Sequence, residues 1–171
     1  MEHPKLNNYP DMKVTLRKDF YDFFAKELKQ FFEETGCSLF GHNVIKNYRK
    51  EGHAVSTFNT NEKWHELYWD KYRNDDPTER ACHSNALINN VGLSSWGITD
   101  GKSECSEDRL SICDVKDGFL LAYSHPDNVI ENISFGWKTI KSQYFDLEKA
   151  LKISHIILPL RQFHIENAFS S

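Results

Sequence analysis

Apolar positions repeat with a helical period near both ends of the chain. In residues 16–35 they fall on one face of a helix, while lysines and glutamates occupy the other face. Thr15 is placed to cap this helix at its start, and Gly36 is placed for a left-handed C-cap. Residues 143–169 repeat the pattern, with Pro159 expected to kink the helix. The pattern therefore predicts an amphipathic helix at each end.

Two stretches have the pattern of β-hairpins. In the first, an apolar strand over residues 37–48 and an alternating strand over residues 53–58 flank the polar turn at residues 49–52. In the second, the apolar strand at residues 118–125 turns at a Pro-Asp-Asn sequence and returns over residues 129–137. These four strands are expected to form an antiparallel sheet.

The segments between the hairpins are mainly helical in pattern. Helices are predicted over residues 62–73, 78–89 and 107–117. Residues 90–102 are rich in glycine and serine and are predicted to form a loop. Trp96 is the one large ring in this loop, and we expect it to fold back onto the protein because such a ring rarely points at water.

The order of elements predicts the fold class. Two separated hairpins with helices around them favour an α+β fold, an α-β-α sandwich with a central antiparallel sheet. The length of 171 residues suits one domain with a proper core. We expect residues 1–14, which are polar and proline-punctuated, to form an N-terminal arm. Residues 15–171 are then a single ligand-binding or sensor domain.

A stripe of aromatic residues stands out in the third predicted helix. Trp64, Tyr68 and Tyr72 recur every fourth residue, so they share one helix face. Asp76 follows and precedes a proline, which is suited to the first position of a new helix, and Glu79 completes the spacing of a capping box. The rings can be ordinary core with a capping carboxylate. They can also wall a pocket, together with Trp96, in which Asp76 anchors a small apolar molecule with a hydrogen-bonding head.

Composition and charge exclude several classes of function. With 21 basic and 25 acidic residues the net charge is −4, so no overall field draws the protein to nucleic acid or to an anionic membrane. There is no apolar signal sequence or membrane-span pattern, and the four cysteines form no CxxC pair. We therefore expect a cytoplasmic protein with reduced thiols. The eight histidines are scattered without a zinc-binding spacing, so no metal or cofactor is expected, although a zinc site assembled only by the fold stays open.

These features together resemble the autoinducer-binding domain of LuxR-type quorum-sensing regulators. That family shows an amphipathic helix, a glycine, a strand pair, a Trp, a Tyr four residues later and an Asp-Pro pair, followed by another Trp in a loop and a glycine-led hairpin. The matching positions in this sequence are Gly36, Trp64, Tyr68, Asp76 with Pro77, Trp96, and residues 118–135. The resemblance covers nearly the whole chain.

The resemblance implies a ligand and roles for individual residues. An acyl-homoserine lactone or a related amphiphile would lie between sheet and helices, in a quorum-sensing or signal-dependent regulator of transcription. By this resemblance Trp64 would donate its indole N–H to the lactone carbonyl, and Asp76 would accept the ligand's amide N–H. Thr78 and Ser134 match positions that line the family's site.

The resemblance also implies partners. The family's regulators continue into a helix-turn-helix domain, and this sequence contains no such segment. We therefore expect no direct nucleic-acid contact by this chain and no membrane contact. Its expected protein partner is a second copy, as a homodimer, or a full-length regulator, as a heterodimer.

Two other classes of function stay open. One is a GAF- or PAS-like interaction module with a solid core and no ligand. Its dimer seam would lie on the last helix, with the apolar residues Ile156, Ile157, Leu160 and Phe163. The other is a small hydrolytic enzyme that uses one of the adjacent pairs Cys82–His83, His65–Glu66 or Ser124–His125.

Overall fold

The structure, a computed structural model, describes residues 12–73, 76–96, 103–139 and 146–170. In chain order its strands are β1 (Lys13–Leu16), β2 (Leu39–Lys46), β3 (Ala54–Asn59), β4 (Val91–Ser95), β5 (Asp117–His125) and β6 (Val129–Trp137). Its α-helices are α1 (Phe20–Phe23), α2 (Ala25–Thr35), α3 (Glu62–Leu67), α4 (Pro77–Asn89), α5 (Glu104–Cys113), α6 (Leu147–Ile156) and α7 (Leu158–Asn167). A π-helical turn, Tyr68–Tyr72, continues α3.

The strands form one sheet in the order β1-β3-β2-β6-β5-β4. All neighbouring pairs are antiparallel except β1 and β3, which are parallel. Both predicted hairpins are present. The second turns through the three residues between His125 and Val129, of which Asp127 and Asn128 have the positive φ that Asp and Asn adopt more readily than most residues.

Helices cover both faces of the sheet, so the predicted α-β-α sandwich with a central antiparallel sheet is confirmed. On one face α1, α2, α6 and α7 pack on a core rich in phenylalanine, which includes Phe31, Phe40, Phe58 and Phe135. On the other face α3, the π turn, α4 and α5 enclose two smaller clusters. No helix in the described parts of the chain is long and apolar enough to cross a membrane.

The start of the first helix was predicted wrongly. Lys13–Leu16 is a strand whose residues pair with β3, as Val14 does with Val55, so the helix does not begin at Leu16 and Thr15 is not its cap. Pairing with residues far along the chain outweighs the local helical pattern. Residues 1–11 of the predicted arm lie outside the described residues. The left-handed C-cap at Gly36 is confirmed, with φ of 69°.

Three further boundaries differ from the sequence prediction. Val91–Ser95, predicted as part of a loop, is the edge strand β4 and pairs with β5. The helix predicted over residues 107–117 begins three residues earlier, because Ser103 caps it, and ends where Asp114 takes a positive φ. The helical tail is two helices that meet at Ile157, with Pro159 in the first turn of α7 rather than at a kink.

Candidate functional site

The aromatic stripe is positioned by a capped helix start. The Asn61 side chain accepts a hydrogen bond from the backbone N–H of Trp64 at 2.9 Å and so fixes the first turn of α3. The Trp64 ring then packs against Tyr68 and Tyr72, with centroid distances of 5.8 and 6.1 Å. The predicted stripe therefore exists, and its rings lie over the second face of the sheet.

Asp76 is both a helix cap and part of a polar cluster. Its Oδ1 accepts hydrogen bonds from the backbone N–H groups of Thr78, at 3.0 Å, and Glu79, at 3.2 Å. Its Oδ2 accepts from the Tyr68 hydroxyl at 2.8 Å. The same hydroxyl also contacts Oε2 of Glu79. The structural interpretation of Asp76 as a cap is thus correct, and the carboxylate reaches the aromatic stripe as well.

The Tyr68 hydroxyl contacts two carboxyl groups but carries only one hydrogen. Burial, followed by the charge of Asp76, raises the pKa of Glu79 to about 8, so Glu79 holds a proton at neutral pH. Glu79 can then donate to the Tyr68 oxygen while Tyr68 donates to Asp76. Burial beside these carboxyls also raises the pKa of Tyr68. The three groups form a chain that carries a single negative charge.

The sheet supplies a polar floor opposite these groups. Asn43 on β2 is directly opposite Thr57 on β3 and Asn132 on β6. Two positions along β2, Gly41 lies between Asn59 and Ser134. The hydroxyl of Thr57 donates to Oδ1 of Asn43 and accepts from the indole N–H of Trp69 at 3.1 Å. The central strands therefore present side-chain amides and hydroxyls where a fully apolar core would have aliphatic groups.

Trp96 closes one side of this region. Its ring packs against the protein, as predicted from the sequence. A Cβ atom at Gly118 would lie 2.3 Å from the Trp96 ring, so only glycine allows the indole to lie against β5. The Arg109 guanidinium lies over the indole, 3.9 Å from the ring centroid. Trp96 is consequently fixed between the sheet and α5.

A small cavity lies between the polar floor and the helices. It offers about 40 Å³ to the centres of water molecules, which is room for roughly three waters. Its walls combine rings with polar groups from the sheet and from α3, α4 and α5: Leu39, Gly41, Asn43, Thr57, Asn59, Trp64, His65, Tyr68, Trp69, Asp76, Glu79, Trp96, Arg109, Leu120, Asn132 and Ser134. We call it the inner cavity.

Three polar groups of the inner cavity have no hydrogen-bond partner among the described residues. Asn132 is almost completely buried; its Nδ2 lies 2.9 Å from His83 Nε2, but its Oδ1 has no partner. The indole N–H of Trp64 and the hydroxyl of Ser134 likewise make no hydrogen bond to a described residue. For Asn132 Oδ1, which is buried, the lack of a partner costs about 1 to 3 kcal/mol. Bound water or a ligand that offers both donors and acceptors would satisfy these groups.

The structure brings most of the predicted site residues together. Trp64, Tyr68, Asp76, Trp96 and Ser134 line the inner cavity. The other two predicted residues do not. Tyr72 packs behind Trp64 and directs its hydroxyl to Asp108 on α5. Thr78 is buried in the first turn of α4, where its backbone N–H is bound by Asp76.

Several lining residues were not predicted from the sequence. Among them are Asn43, Thr57, Asn132 and Glu79. A signal was present for the first three, since each is a polar residue in the interior of a strand that is otherwise largely apolar. Glu79 was noted only as part of a capping box. Its carboxyl instead contacts Tyr68 within the cavity wall.

The opposite face of the sheet carries a separate, buried ionic cluster. The Arg161 guanidinium on α7 binds both carboxylate oxygens of Glu131, at 2.6 and 2.9 Å. His42 bridges the same carboxylate, at 2.6 Å, to His164, at 2.7 Å, and His164 contacts the Ser56 hydroxyl at 2.8 Å. Burial alone would raise the pKa of Glu131, but hydrogen bonds from Arg161 and the histidines lower it strongly. The cluster ties α7 to β2, β3 and β6.

Of the adjacent pairs considered for catalysis, Cys82–His83 lacks an activated nucleophile. Cys82 is fully buried, and its thiol donates to the backbone oxygens of Gly92 and Leu120. Burial raises the pKa of this thiol to about 12, so it stays protonated at neutral pH. Within the described ranges no group of three or more His, Cys, Asp or Glu side chains is arranged to hold a metal ion.

Comparison with solved structures identifies the fold. SdiA, solved in complex with octanoyl-rac-glycerol, matches with a TM-score of 0.59 and 14% identity over 87% of this chain and 62% of SdiA. The N-acylhomoserine lactone dependent LuxR family transcription factor CepR2 from Burkholderia cenocepacia matches with a TM-score of 0.60 and 8% identity, over 89% of this chain and 85% of CepR2. The VqsR LBD domain from Pseudomonas aeruginosa matches with a TM-score of 0.56 and 11% identity, over 86% of this chain and 98% of that domain.

These similarities show the fold. No protein-family model matches the sequence, and no curated protein matches it. The chain has the fold of the autoinducer-binding domains of LuxR-type regulators, so the predicted resemblance is confirmed at the level of fold. The part of SdiA that matches is just under two thirds of its length.

Proposed function

We propose that this chain, which has the fold of a LuxR-type autoinducer-binding domain, is a small-molecule sensor in signal-dependent regulation of transcription. The observation that carries the proposal is the inner cavity, which lies between sheet and helices, is lined by Trp64, Asp76 and Ser134, and contains the buried Oδ1 of Asn132 without a hydrogen-bond partner among the described residues. A ligand that carries both a carbonyl and an amide N–H suits such a site. Acyl-homoserine lactones have both groups.

We assign one residue to each end of such a polar head. The indole N–H of Trp64 would donate to a carbonyl oxygen. Asp76, whose carboxylate accepts from the Tyr68 hydroxyl and from the backbone N–H groups of Thr78 and Glu79, would accept the amide N–H of the ligand. A hydrogen bond to a charged carboxylate offsets part of the cost of its burial.

The setting of this function follows from the same proposal. The domain would act in quorum sensing in the cytoplasm, without catalysis, and would transmit ligand binding through a dimer. The dimer partner is a second copy or a full-length regulator. Of the apolar residues expected to form a dimer seam, Ile157 and Leu160 instead face the core, while Ile156 is 41% exposed.

Thermal unfolding with N-acyl-homoserine lactones of different chain length tests the proposal. A ligand at 100 times its dissociation constant raises the free energy of unfolding by about 2.7 kcal/mol. For a chain of this size, that raises the melting temperature by roughly 5 to 10 °C. Asp76→Asn keeps a capping side chain but removes the charge, and should weaken binding by about 1.5 to 3 kcal/mol. Asp146→Asn is the matched control, because Asp146 caps α6 by accepting from the backbone N–H of Lys149. Trp64→Phe keeps the ring and removes the N–H.

The outcomes separate the sensor from its alternative. A shift that is reduced in Asp76→Asn and Trp64→Phe but kept in Asp146→Asn supports the sensor. The small size of the inner cavity favours the second candidate, an interaction module without ligand. An absence of any shift, in a protein that unfolds cooperatively, would establish that second candidate over the first.

A further inference from the structure

A second pocket lies against the inner cavity and shares two of its walls. This outer pocket offers about 200 Å³ to the centres of water molecules, five times the space of the inner cavity. It is bordered by Arg17, Lys18, Tyr21, Phe58, Asn59, Thr60, Glu62 and His65. Asn59 and His65 belong to both linings. Among the residues that the structure describes, only these two side chains border both spaces, so we regard them as the partition between the two.

The inner cavity has polar groups to hold a head but no room for a tail. Space for roughly three waters is less than even a short acyl chain requires, because a methylene group is about the size of a water molecule. The outer pocket has room for on the order of 15 waters by the same measure. An amphiphile whose head fills the inner cavity therefore finds space for its tail beyond Asn59 and His65.

The surface of the outer pocket suits an aliphatic chain despite its charged residues. The Arg17 guanidinium is engaged by Asp19, the backbone oxygen of Asn167 and the ring of Phe20. The Lys18 ammonium pairs with Glu62 and Glu66. With these charged ends paired, the methylene stems of both side chains can border the pocket beside the rings of Tyr21 and Phe58.

The partition can move without displacing a charge. His65 is buried, and its side chain makes one hydrogen bond to a described residue, between Nε2 and the Thr57 hydroxyl at 2.9 Å. Burial lowers the pKa of His65 to about 4, so the ring is neutral at physiological pH. A rotation of the imidazole exchanges one neutral hydrogen bond for contact with a ligand.

We propose that the outer pocket is the tail subsite of the ligand, so that an amphiphile binds with its polar head in the inner cavity and its acyl chain directed past Asn59 and His65 towards α1. The inference rests on the proposed function. It predicts that tail length, up to the capacity of the outer pocket, determines affinity. Glu62 borders that pocket and its side chain is 70% exposed, so a larger side chain at this position should block the subsite.

The test is a titration of butanoyl-, hexanoyl- and octanoyl-homoserine lactone into the full chain and three variants. Glu62→Trp places a large ring in the outer pocket. Lys63→Trp is the matched control, since Lys63 is the next exposed position on α3 and lines neither space. Glu62→Gln removes the charge and the pair with Lys18 without adding bulk. Thermal unfolding of each variant without ligand confirms that the fold is kept.

In the unmodified chain we expect the affinity to rise roughly two- to fourfold for each added methylene. The roughly fourfold value applies when the methylene is fully buried. Glu62→Trp should abolish most of this gain and leave butanoyl-homoserine lactone nearly unaffected, while Lys63→Trp and Glu62→Gln keep the gain. An unchanged dependence on chain length in Glu62→Trp would overturn the tail subsite alone. If no homoserine lactone binds the unmodified chain, the sensor proposal itself fails, and the subsite with it.

Discussion

The protonation state of Glu79 can be tested by a single substitution. Glu79 is held beside Asp76 and contacts the Tyr68 hydroxyl, and its pKa is raised to about 8 by burial and by the Asp76 charge. Glu79→Gln replaces a carboxyl group that must hold a proton with a neutral amide of the same shape. The amide N–H can donate to the Tyr68 oxygen as the protonated carboxyl does.

The magnitude follows from linkage between protonation and folding. The unfolded chain releases the Glu79 proton near pH 4.5, whereas the folded chain keeps it until about pH 8. Between these values the folded state holds more protons, so its free energy of unfolding falls as pH rises, by up to about 1.4 kcal/mol per pH unit. From pH 5 to pH 8 the ionisation of Glu79 should lower the free energy of unfolding by about 3 kcal/mol. Glu79→Gln should remove that loss.

The assay is urea unfolding of both proteins from pH 5 to pH 8. The difference between them reports the ionisation of Glu79 together with its neighbours Asp76 and His83, the latter 3.8 Å away, because the more distant histidines His65 and His164 are present in both proteins. The variant should equal the unmodified chain near pH 5 and exceed it by about 3 kcal/mol at pH 8. Glu148→Gln, at a side chain that is 80% exposed, is the control and should show no such trend. A difference that stays constant across this range would refute the shared-proton arrangement.

Two further substitutions test the packing around the site. Arg161→Leu leaves the Glu131 carboxylate buried without its main partner and should lower the free energy of unfolding by about 3 to 5 kcal/mol, measured by urea unfolding. The double variant Arg161→Leu with Glu131→Leu should recover much of this loss, and no recovery would contradict the assignment of the loss to an unpaired charge. Gly118→Ala forces a Cβ atom against Trp96 and should cost about 1 to 3 kcal/mol and change the indole emission spectrum. Emission like that of the unmodified chain would place Trp96 elsewhere.

The predicted elements that proved correct have one buried and one exposed side, or end at a residue typical of a helix cap or a turn. The α2 helix and its C-cap at Gly36 show both, as does the second hairpin with its turn at Asp127. Strands β1 and β4 were missed because they are short and lie at the edges of the sheet. Their identity depends on partners elsewhere, as with Val14 opposite Val55, and no local pattern shows such pairing.

The walls of the candidate site were more predictable than its floor. The spacing of Trp64 and Tyr68 on one helix face is visible in the sequence, and so is the position of Asp76 before a proline. The floor required the strand register, because Asn43 and Asn132 meet only when β2 pairs with β6. The raised pKa of Glu79 required more, since it depends on burial and on the position of a second carboxyl group.

The central claim, that a ligand's head binds in the inner cavity, is tested most directly by the indole N–H signals of the four tryptophans. A ¹H–¹⁵N spectrum would be recorded with and without octanoyl-homoserine lactone, and Trp64→Phe would identify the Trp64 signal. Trp137 is the internal control, because its indole N–H donates to the backbone oxygen of Thr35 on the other face of the sheet, at 3.1 Å. The proposal predicts a large shift of the Trp64 signal as a new hydrogen bond forms, with the Trp137 signal nearly unchanged. A Trp64 signal that does not move at saturating ligand would contradict it.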